Sequence, residues 1–346
     1  MTFKVLPRPS PGEVAAKLTE GALRARPKGG LAARLFFASF AQPMDIYLPI
    51  AGLSVNALLI VALGGLVGIL SGMFGVGGGF LTTPLLIFYG IPPAVAVASA
   101  TTQITGSSVS GVYAHFRRGG VDFKMGGVMI AGGTVGSLVG ALLFRLLQAS
   151  GQIDLVIGGL YVLLLGSIGA LMLKDALIAL GWVSAPEAPA DKPHHVRWVA
   201  ALPMRWRFYA SGLYLSPLAP LALGFLAGIL TVLLGVGGGF ILVPAMIYIL
   251  GMAARVVVGT SLVMILAVSA VTTMVHAMTT HAVDIVLAGL LLVGGVIGAQ
   301  YGAVLATRLR PDLLRLALAI IILLVALRMA LGLAWRPDEI YSIEYL

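Results

Sequence analysis

The sequence predicts an all-α polytopic membrane protein of two homologous repeats, with eight to ten transmembrane or part-transmembrane helices and glycine-rich helix breaks. Of its 346 residues, 59% are hydrophobic and only 10% are charged, and one glycine-rich string occurs twice. Long apolar stretches such as 55–72, 283–306 and 313–333 approach the roughly 20 residues that cross a hydrocarbon core. Because backbone groups cannot stay unpaired in lipid and no alternating strand pattern occurs, we expect helices rather than a barrel.

The composition also excludes several classes of function. The mean hydropathy is +1.04, and the net charge is +9. We predict no nucleic-acid partner, because the basic residues lie in loops between apolar segments, where the positive-inside rule explains them. The chain has no cysteine, which excludes disulfides, thiolate metal sites and cysteine nucleophiles. We expect no metal, no cofactor and no enzymatic activity.

The chain divides into five segments by composition. The linker contains SAPEAPADKPHHVRW, whose proline and charge are typical of an exposed connection. The predicted segments are a basic N-terminal extension at 1–43, a first membrane repeat at 44–174, a polar linker at 175–216, a second membrane repeat at 217–334 and a C-terminal tail at 335–346.

The two repeats align at an offset close to 160. GGLVGILSGMFGVGGGF at 64–80 and GFLAGILTVLLGVGGGF at 224–240 are identical at 11 of 17 positions. Further pairs follow in nearly the same register, namely Pro84 with Pro244, His115 with His276 and Asp122 with Asp284. Ordered matches of proline, histidine and aspartate indicate a true internal repeat.

Each repeat contains the same five apolar segments in order. The first ends at the glycines, and a short second segment follows at 80–89 or 240–250. The third ends at the histidine, the fourth begins near the aspartate, and the fifth closes the repeat. Glycines at 132, 136 and 140 in the fourth segment have the small-residue spacing of close helix packing.

Loop charges predict that the two repeats are inverted in the membrane. The loop after the third segment is basic in the first repeat and lacks lysine and arginine in the second, whereas the loop after the fourth segment shows the reverse bias. The charges are Arg117, Arg118 and Lys124 against none, and Arg145 against Arg308, Arg310 and Arg315. Because the repeat with more basic residues differs between the two loops, the charges favour inverted over parallel repeats.

The repeated GVGGG string predicts a broken helix that binds an anion. A helix that restarts at Phe80 or Phe240 begins with free N–H groups and the positive end of its dipole. Gly-interrupted short segments at matching positions indicate a transporter's central site, although close helix packing is an alternative reading. The predicted site residues here are Gly75, Gly77, Gly78, Gly79 and Phe80, with Gly235, Gly237, Gly238, Gly239 and Phe240.

Small polar side chains near the breaks are further candidates for substrate binding. A single serine or threonine usually bonds within its own helix, but glutamine is costly in lipid and indicates a polar path. Met264 stands where the first repeat has Gln103, so we expect an asymmetric site. The candidates are Thr82, Thr83, Ser99, Thr101, Thr102 and Gln103 in the first repeat, with Thr260 and Ser261 in the second.

The two aligned histidines have two interpretations. His115 and His276 end the third segments, where we favour a solvated position at the membrane interface over a proton relay. No acidic residue occupies the middle of an apolar segment, which argues against a carboxylate relay and against a site for a hard cation.

The sequence resembles the TauE/SafE family of sulfite and organosulfur exporters. The resemblance rests on SGMFGVGGGFLTTPLLIFYGIPPAVAVASATTQ at 71–103, on HFRRGGVDF, and on LGVGGGFILVP at 234–244, and it covers nearly all of 50–334. It implies a multi-pass protein of the bacterial cytoplasmic membrane with two homologous halves. It also implies transport of small sulfur-containing anions such as sulfite, thiosulfate, sulfoacetate or sulfonates.

We therefore expect a secondary transporter, an exporter, that works by alternating access around the two GVGGG breaks. An anion channel and a membrane assembly factor without transport activity are the alternatives. The expected partners are a small anionic substrate and the lipid bilayer, and a second copy of the chain is a candidate partner.

Overall fold

A computed structural model describes residues 45–74, 78–117, 119–182, 203–306 and 311–334. The basic extension, residues 183–202 of the linker, the C-terminal tail and the site candidates Gly75 and Gly77 lie outside the described residues. Contacts divide the chain into two units, Met1–Ile46 and Tyr47–Leu346, and the fold below is that of the second.

Ten helices and four short strands form the described part of the chain, which confirms the predicted all-α polytopic membrane fold. The first half contains α1 (Ala57–Phe74), α2 (Gly79–Phe88), α3 (Pro93–Arg117), α4 (Phe123–Ala149) and α5 (Ile153–Ala179). The second half contains α6 (Leu218–Leu234), α7 (Gly239–Tyr248), α8 (Ala254–Thr279), α9 (Ile285–Ala306) and α10 (Pro311–Ala334). The strands are β1 (Asp45–Leu48), β2 (Leu53–Asn56), β3 (Trp206–Phe208) and β4 (Leu213–Leu215).

Five of the described helices are long and apolar enough to cross a membrane. They are α4, α5 and the Val256–Thr279, Ile285–Gly302 and Leu316–Ala334 portions of α8, α9 and α10. The helices that flank the glycine strings, α1, α2, α6 and α7, are apolar but shorter.

The helices pair mainly between the two halves. The first helix of each half packs on the fourth helix of the other, as α1 on α9 and α6 on α4. The third helices, α3 and α8, pack on each other, and so do the fifth helices, α5 and α10. Such an exchange of contacts is expected when two like units are related by a twofold axis.

The third helices run in opposite directions along their interface. The Thr102 hydroxyl lies 3.4 Å from that of Thr273, and the Thr105 hydroxyl lies 3.0 Å from that of Ser269. Residue numbers therefore rise along α3 while they fall along α8. The fifth helices are antiparallel for the same reason, because Gly158 lies beside Leu333 and Gly169 beside Ile322. Opposite directions in corresponding helices are what an inverted repeat requires.

The first and fourth helices cross with their backbones in contact. A Cβ built on Gly136 of α4 would lie 2.0 Å from the Phe225 carbonyl oxygen of α6, and one built on Gly68 of α1 would lie 2.3 Å from the Gly295 carbonyl oxygen of α9. Only glycine permits this approach, as the small-residue spacing in α4 predicted.

Asp122 joins three elements at one end of the bundle, which we call the Asp122 end. Its carboxylate accepts the Met125 N–H at 3.0 Å and so caps the start of α4. Its own N–H donates to the Thr260 hydroxyl of α8 at 2.9 Å. Its second carboxylate oxygen accepts the Ser211 hydroxyl, in the turn between β3 and β4, at 2.6 Å.

Asp284 makes the equivalent contacts at the opposite end, the Asp284 end. Its carboxylate accepts the Leu287 N–H of α9 at 3.1 Å and the Ile50 N–H, between β1 and β2, at 3.2 Å. Its N–H donates to the Ser99 hydroxyl of α3 at 3.2 Å. Both aspartates are fully buried, so each pins the fourth helix of one half to the opposite half.

These contacts define the path of the chain through the bundle. Helix α1 starts at the Asp284 end, because it packs on α9 in parallel, and α3 starts at the same end, where Ser99 meets Asp284. The pair α1–α2 therefore enters and leaves at one end, and α6–α7 does the same at the Asp122 end. Helices α3–α5 and α8–α10 run from one end to the other.

The structure differs from the predicted repeat boundaries around the linker. Helix α5 continues to Ala179 rather than ending at 174, and β3 and β4 lie inside 175–216. The two strands pair antiparallel, with Phe208 opposite Leu213, and Gly52 and Gly212 occupy positive φ angles of 67° and 66°. A short strand pair thus precedes the first helix of each half, and runs of three or four residues are too short for sequence patterns to reveal.

Candidate functional site

The chain leaves the helical path at both glycine strings. Helix α1 ends at Phe74 and α2 begins at Gly79, while α6 ends at Leu234 and α7 begins at Gly239. The described glycines with positive φ in these strings are Gly78 (60°), Gly235 (68°), Gly237 (69°) and Gly238 (74°). Side chains other than that of glycine rarely adopt this conformation, so the glycines permit the turn.

The turn folds each short helix back on the helix before it. A Cβ built on Gly78 would lie 3.1 Å from Ser71 Cβ and 3.3 Å from Val67 Cγ1. In the second half, a Cβ on Gly238 would lie 3.1 Å from Ala227 Cβ. Ala227 corresponds to Val67 at the offset of 160, so both turns have the same geometry.

The starts of the two short helices meet inside the bundle. The rings of Phe80 and Phe240 stack with centroids 4.5 Å apart and an interplanar angle of 7°. A Cβ built on Gly79 would lie 2.0 Å from Ile104 Cδ1 and 2.9 Å from the Gly235 carbonyl oxygen. Ile104 lies near the middle of α3, so the predicted glycine and phenylalanine candidates in the described residues come together at mid-depth.

The start of α7 carries two N–H groups without a backbone partner among the described residues. The N–H groups of Ile241 and Leu242 donate to the Gly238 carbonyl at 3.0 and 2.8 Å. Within the described part of the chain, the N–H groups of Gly239 and Phe240 make no such backbone bond. They stand at the positive end of the helix dipole.

Thr83 adds an unpaired hydroxyl beside the second break. The residue is 0% exposed, and its Oγ1 meets the distance and angle of a hydrogen bond with none of the described residues, although the Tyr161 hydroxyl lies nearby. A Cβ built on Gly235 would lie 3.1 Å from this oxygen, so the hydroxyl of a first-half helix faces the backbone of the second break. An unpaired buried hydroxyl costs about 1–3 kcal/mol, and a bound anion would remove that cost.

Gln103 and Thr82 place further polar groups on the first half. The Thr82 hydroxyl donates to Gln103 Oε1 at 3.2 Å, and Gln103 is 4% exposed. In the second half, the corresponding residues are Leu242 and Met264. The polarity at these two positions is therefore one-sided, whereas the hydroxyls of Ser71 and Thr231 face the turn glycines of both halves.

The other predicted hydroxyl candidates do not gather at the breaks. Thr101 donates to the Val97 carbonyl at 2.7 Å, Thr102 to that of Ala98 at 3.0 Å and Ser261 to that of Val258 at 3.0 Å. These three bond within their own helices. Ser99 and Thr260 pair with the N–H groups of Asp284 and Asp122 at opposite ends of the bundle.

A polar seam between α3, α4 and α8 was missed at the level of sequence. The Ser137 hydroxyl lies 3.2 Å from that of Thr272, and Ser269 and Thr273 contact α3 as described above. Ser269 is followed three and four residues later by Thr272 and Thr273, and these are followed four and three residues later by His276, which places the four side chains on one helix face. This spacing is the sequence signal from which the seam could have been predicted.

The expectation of a solvated His276 is wrong. The side chain is 1% exposed, its Nε2 lies 3.1 Å from the Val232 carbonyl oxygen, and its ring meets Phe144 edge-on at 4.9 Å. Helices α4 and α6 cover the last turn of α8, so the residue is not at a surface. His115, its counterpart, is partly buried in the last turn of α3.

Two side chains hold the end of α6 just before the second break. His276 bonds to the Val232 carbonyl, and the Tyr161 hydroxyl donates to the Leu234 carbonyl. Both carbonyls belong to the last turn, whose oxygens have no partner inside the helix. The second break is thus fixed in place by helices α5 and α8.

The model of one protein family matches most of the chain. A family model described as "Sulfite exporter TauE/SafE" matches residues 60–329. A "Probable membrane transporter protein" of Xylella fastidiosa is 29% identical over 280 residues, which cover 80% of this chain and 95% of that one. The "Probable membrane transporter protein YunE" of Bacillus subtilis is 26% identical over 284 residues, covering 78% and 96%.

A plant protein matches over a shorter range. The "Sulfite exporter TauE/SafE family protein 3" of Arabidopsis thaliana is 37% identical over 93 residues, which are 26% of this chain and 19% of that one. No solved structure matches the chain.

Proposed function

The chain belongs to the sulfite exporter TauE/SafE family, and we propose that it is a secondary transporter that exports a small sulfur-containing anion such as sulfite, thiosulfate, sulfoacetate or a sulfonate. The observation that carries the proposal is the meeting of two helix starts inside the membrane, marked by the stacked rings of Phe80 and Phe240. The positive ends of two helices attract an anion, the start of α7 offers the N–H groups of Gly239 and Phe240, and the buried Thr83 hydroxyl supplies a further donor.

The proposed mechanism is alternating access between the two halves. The antiparallel packing of α3 on α8 and of α5 on α10 supports an inverted repeat, in which each half presents one broken helix from its own end. Rocking of one half against the other would open the site first to one end and then to the other. We propose that the stacked rings of Phe80 and Phe240 form the barrier between the two ends.

The distribution of basic residues supports a cytoplasmic location for the Asp122 end. Arg117, Lys124 and Arg207 lie there, whereas Arg145 and Arg328 lie nearer the Asp284 end. The positive-inside rule places the first group in the cytoplasm of a bacterial cell. Reporter fusions in the 119–122 and 280–284 loops test this, and activity on the same side for both would reject inverted repeats.

Counterflow in proteoliposomes tests the proposed function. Vesicles preloaded with unlabelled sulfite or thiosulfate are diluted into labelled anion, and a carrier accumulates label transiently while a channel does not. We expect accumulation for at least one sulfur-containing anion. Flux without counterflow would favour the channel, and the absence of any flux across the anion series would favour the assembly factor.

Gln103 is expected to contribute more to substrate affinity than its counterpart Met264. Gln103→Ala removes the amide that Thr82 binds, and the loss of a buried polar partner costs about 1–3 kcal/mol, which corresponds to roughly fivefold or more in KM. Met264→Ala, measured as the matched control at equal amounts of folded protein, is expected to change KM by less than about twofold. Equal effects would reject a one-sided site.

A further inference from the structure

Arg328 is a charged residue inside an apolar helix. It lies six residues before the end of the candidate span Leu316–Ala334, further from the end of its helix than the other Lys, Arg, Asp and Glu residues of the described spans. The side chain is exposed, and no ion pair links it to the described residues. A charged group at this depth in lipid is costly and usually has a specific partner.

The guanidinium of Arg328 is held at a defined place. Its Cζ lies 5.2 Å from the centroid of the Phe88 ring, at the end of α2, so a cation–π contact fixes it. A Cβ built on Gly332, one turn on, would lie 3.5 Å from an Arg328 guanidinium nitrogen. The side chain therefore extends along α10 toward the Asp284 end, where the polar surface of the membrane begins.

An apolar groove lies on the same face of α10. It has a volume of about 450 Å³ and is formed by α1 together with one residue of α10. Its lining residues are Ala62, Gly65, Leu66, Ile69, Leu70 and Ile321. Ile321 precedes Arg328 by seven residues, which is two turns and about 10 Å along one helix face.

We propose that this groove and Arg328 bind an anionic phospholipid, with an acyl chain along α1 and the phosphate on the guanidinium. Charge complementarity identifies the occupant, because the groove is apolar along its length. Arg328, which makes no ion pair with the described residues, lies beyond it on the same face of α10, toward the Asp284 end. A lipid of that leaflet presents an acyl chain and a phosphate in the same order. Helix α10 packs on α5 and α2, so such a lipid would seal the seam between the two halves.

Native mass spectrometry of the delipidated full chain tests this site, with dioleoyl phosphatidylglycerol as the probe. We expect wild type to retain one such lipid, and Arg328→Gln and Ala62→Trp to retain it about fivefold less, which is the effect of roughly one basic residue near a membrane surface. Arg328→Lys is expected to recover part of the binding. Phosphatidylcholine with the same chains and free glycerol 3-phosphate should be retained less than the probe.

Arg145→Gln is the matched control. Arg145 is also exposed and lies four residues before the end of α4 at Ala149, near the same end of the bundle, and its loss should leave retention unchanged. The proposal is overturned if Arg328→Gln retains lipid like wild type, or if Arg145→Gln loses as much. It is also overturned if Ala62→Trp has no effect, or if it dissociates dimers in place of releasing lipid.

Discussion

Transport by the Gly238→Leu variant is expected to fall at least about tenfold, while the protein still inserts and folds. Gly238 has a φ of 74°, a left-handed conformation that costs other residues about 1–2 kcal/mol. Its Cβ would lie 3.1 Å from Ala227 Cβ and 3.4 Å from Leu242 Cδ1. The new side chain would therefore displace the start of α7, where we place the anion. The measurement is the initial rate of labelled-anion flux at equal reconstituted protein.

Gly212→Leu separates backbone strain from displacement of the site. Gly212 has a similar φ of 66°, but a Cβ built on it meets nothing within 4 Å. The variant carries comparable strain in the turn between β3 and β4 and should transport at close to the wild-type rate. Normal flux through Gly238→Leu, or an equal loss in Gly212→Leu, would contradict a site at the break.

Gly136→Ala is expected to destabilise the bundle by about 1–3 kcal/mol, the usual cost of overpacking, and to lower its melting temperature. The added methyl would lie 2.0 Å from the Phe225 carbonyl oxygen and 2.8 Å from the Phe225 carbonyl carbon. Backbone cannot move aside as a side chain can, so α4 and α6 would have to separate. Because α4 belongs to the first half and α6 to the second, the damage falls on the contact between the halves.

Gly127→Ala is the control on the same helix. A Cβ at Gly127 meets nothing within 4 Å, and alanine favours helix over glycine by about 1 kcal/mol. The variant should melt at or above the wild-type temperature in a thermal-denaturation assay of the purified protein. If Gly136→Ala also melts with wild type, the close crossing of α4 and α6 is not a source of stability.

The sequence could predict features that repeat or that depend on one residue type. The pairing of two GVGGG strings indicated where α1 and α6 end and where α2 and α7 begin, because glycine has a local effect on the backbone. Apolar length predicted α9 and α10, whereas 55–72, which was also expected to cross the membrane, forms the shorter helix α1. The loop charges predicted opposite orientations, which the antiparallel pairs α3–α8 and α5–α10 support.

Features that depend on contacts between distant parts of the chain could not be predicted. The sequence placed Ser99 and Thr260 with the site, but their hydroxyls pair with Asp284 and Asp122, which lie 185 and 138 residues away in the chain. His276 looked interfacial because it ends an apolar segment, yet α4 and α6 cover it. Which of several hydroxyls is left without a partner among the described residues, as those of Thr83 and Ser108 are, depends on packing alone.

The most direct test of the central claim, that an anion binds where the two helix starts meet, is the ligand-induced rise in melting temperature of the Thr83→Val variant. Valine is the residue that the second half carries at this position, Val243, and it keeps the volume while it removes the hydroxyl. In wild type, the best-binding sulfur-containing anion should raise the melting temperature. Thr279→Val, which loses only a bond of 2.6 Å to the Val275 carbonyl in its own helix, should keep that rise. The account predicts that Thr83→Val loses most of it, and a full rise in Thr83→Val would contradict the account.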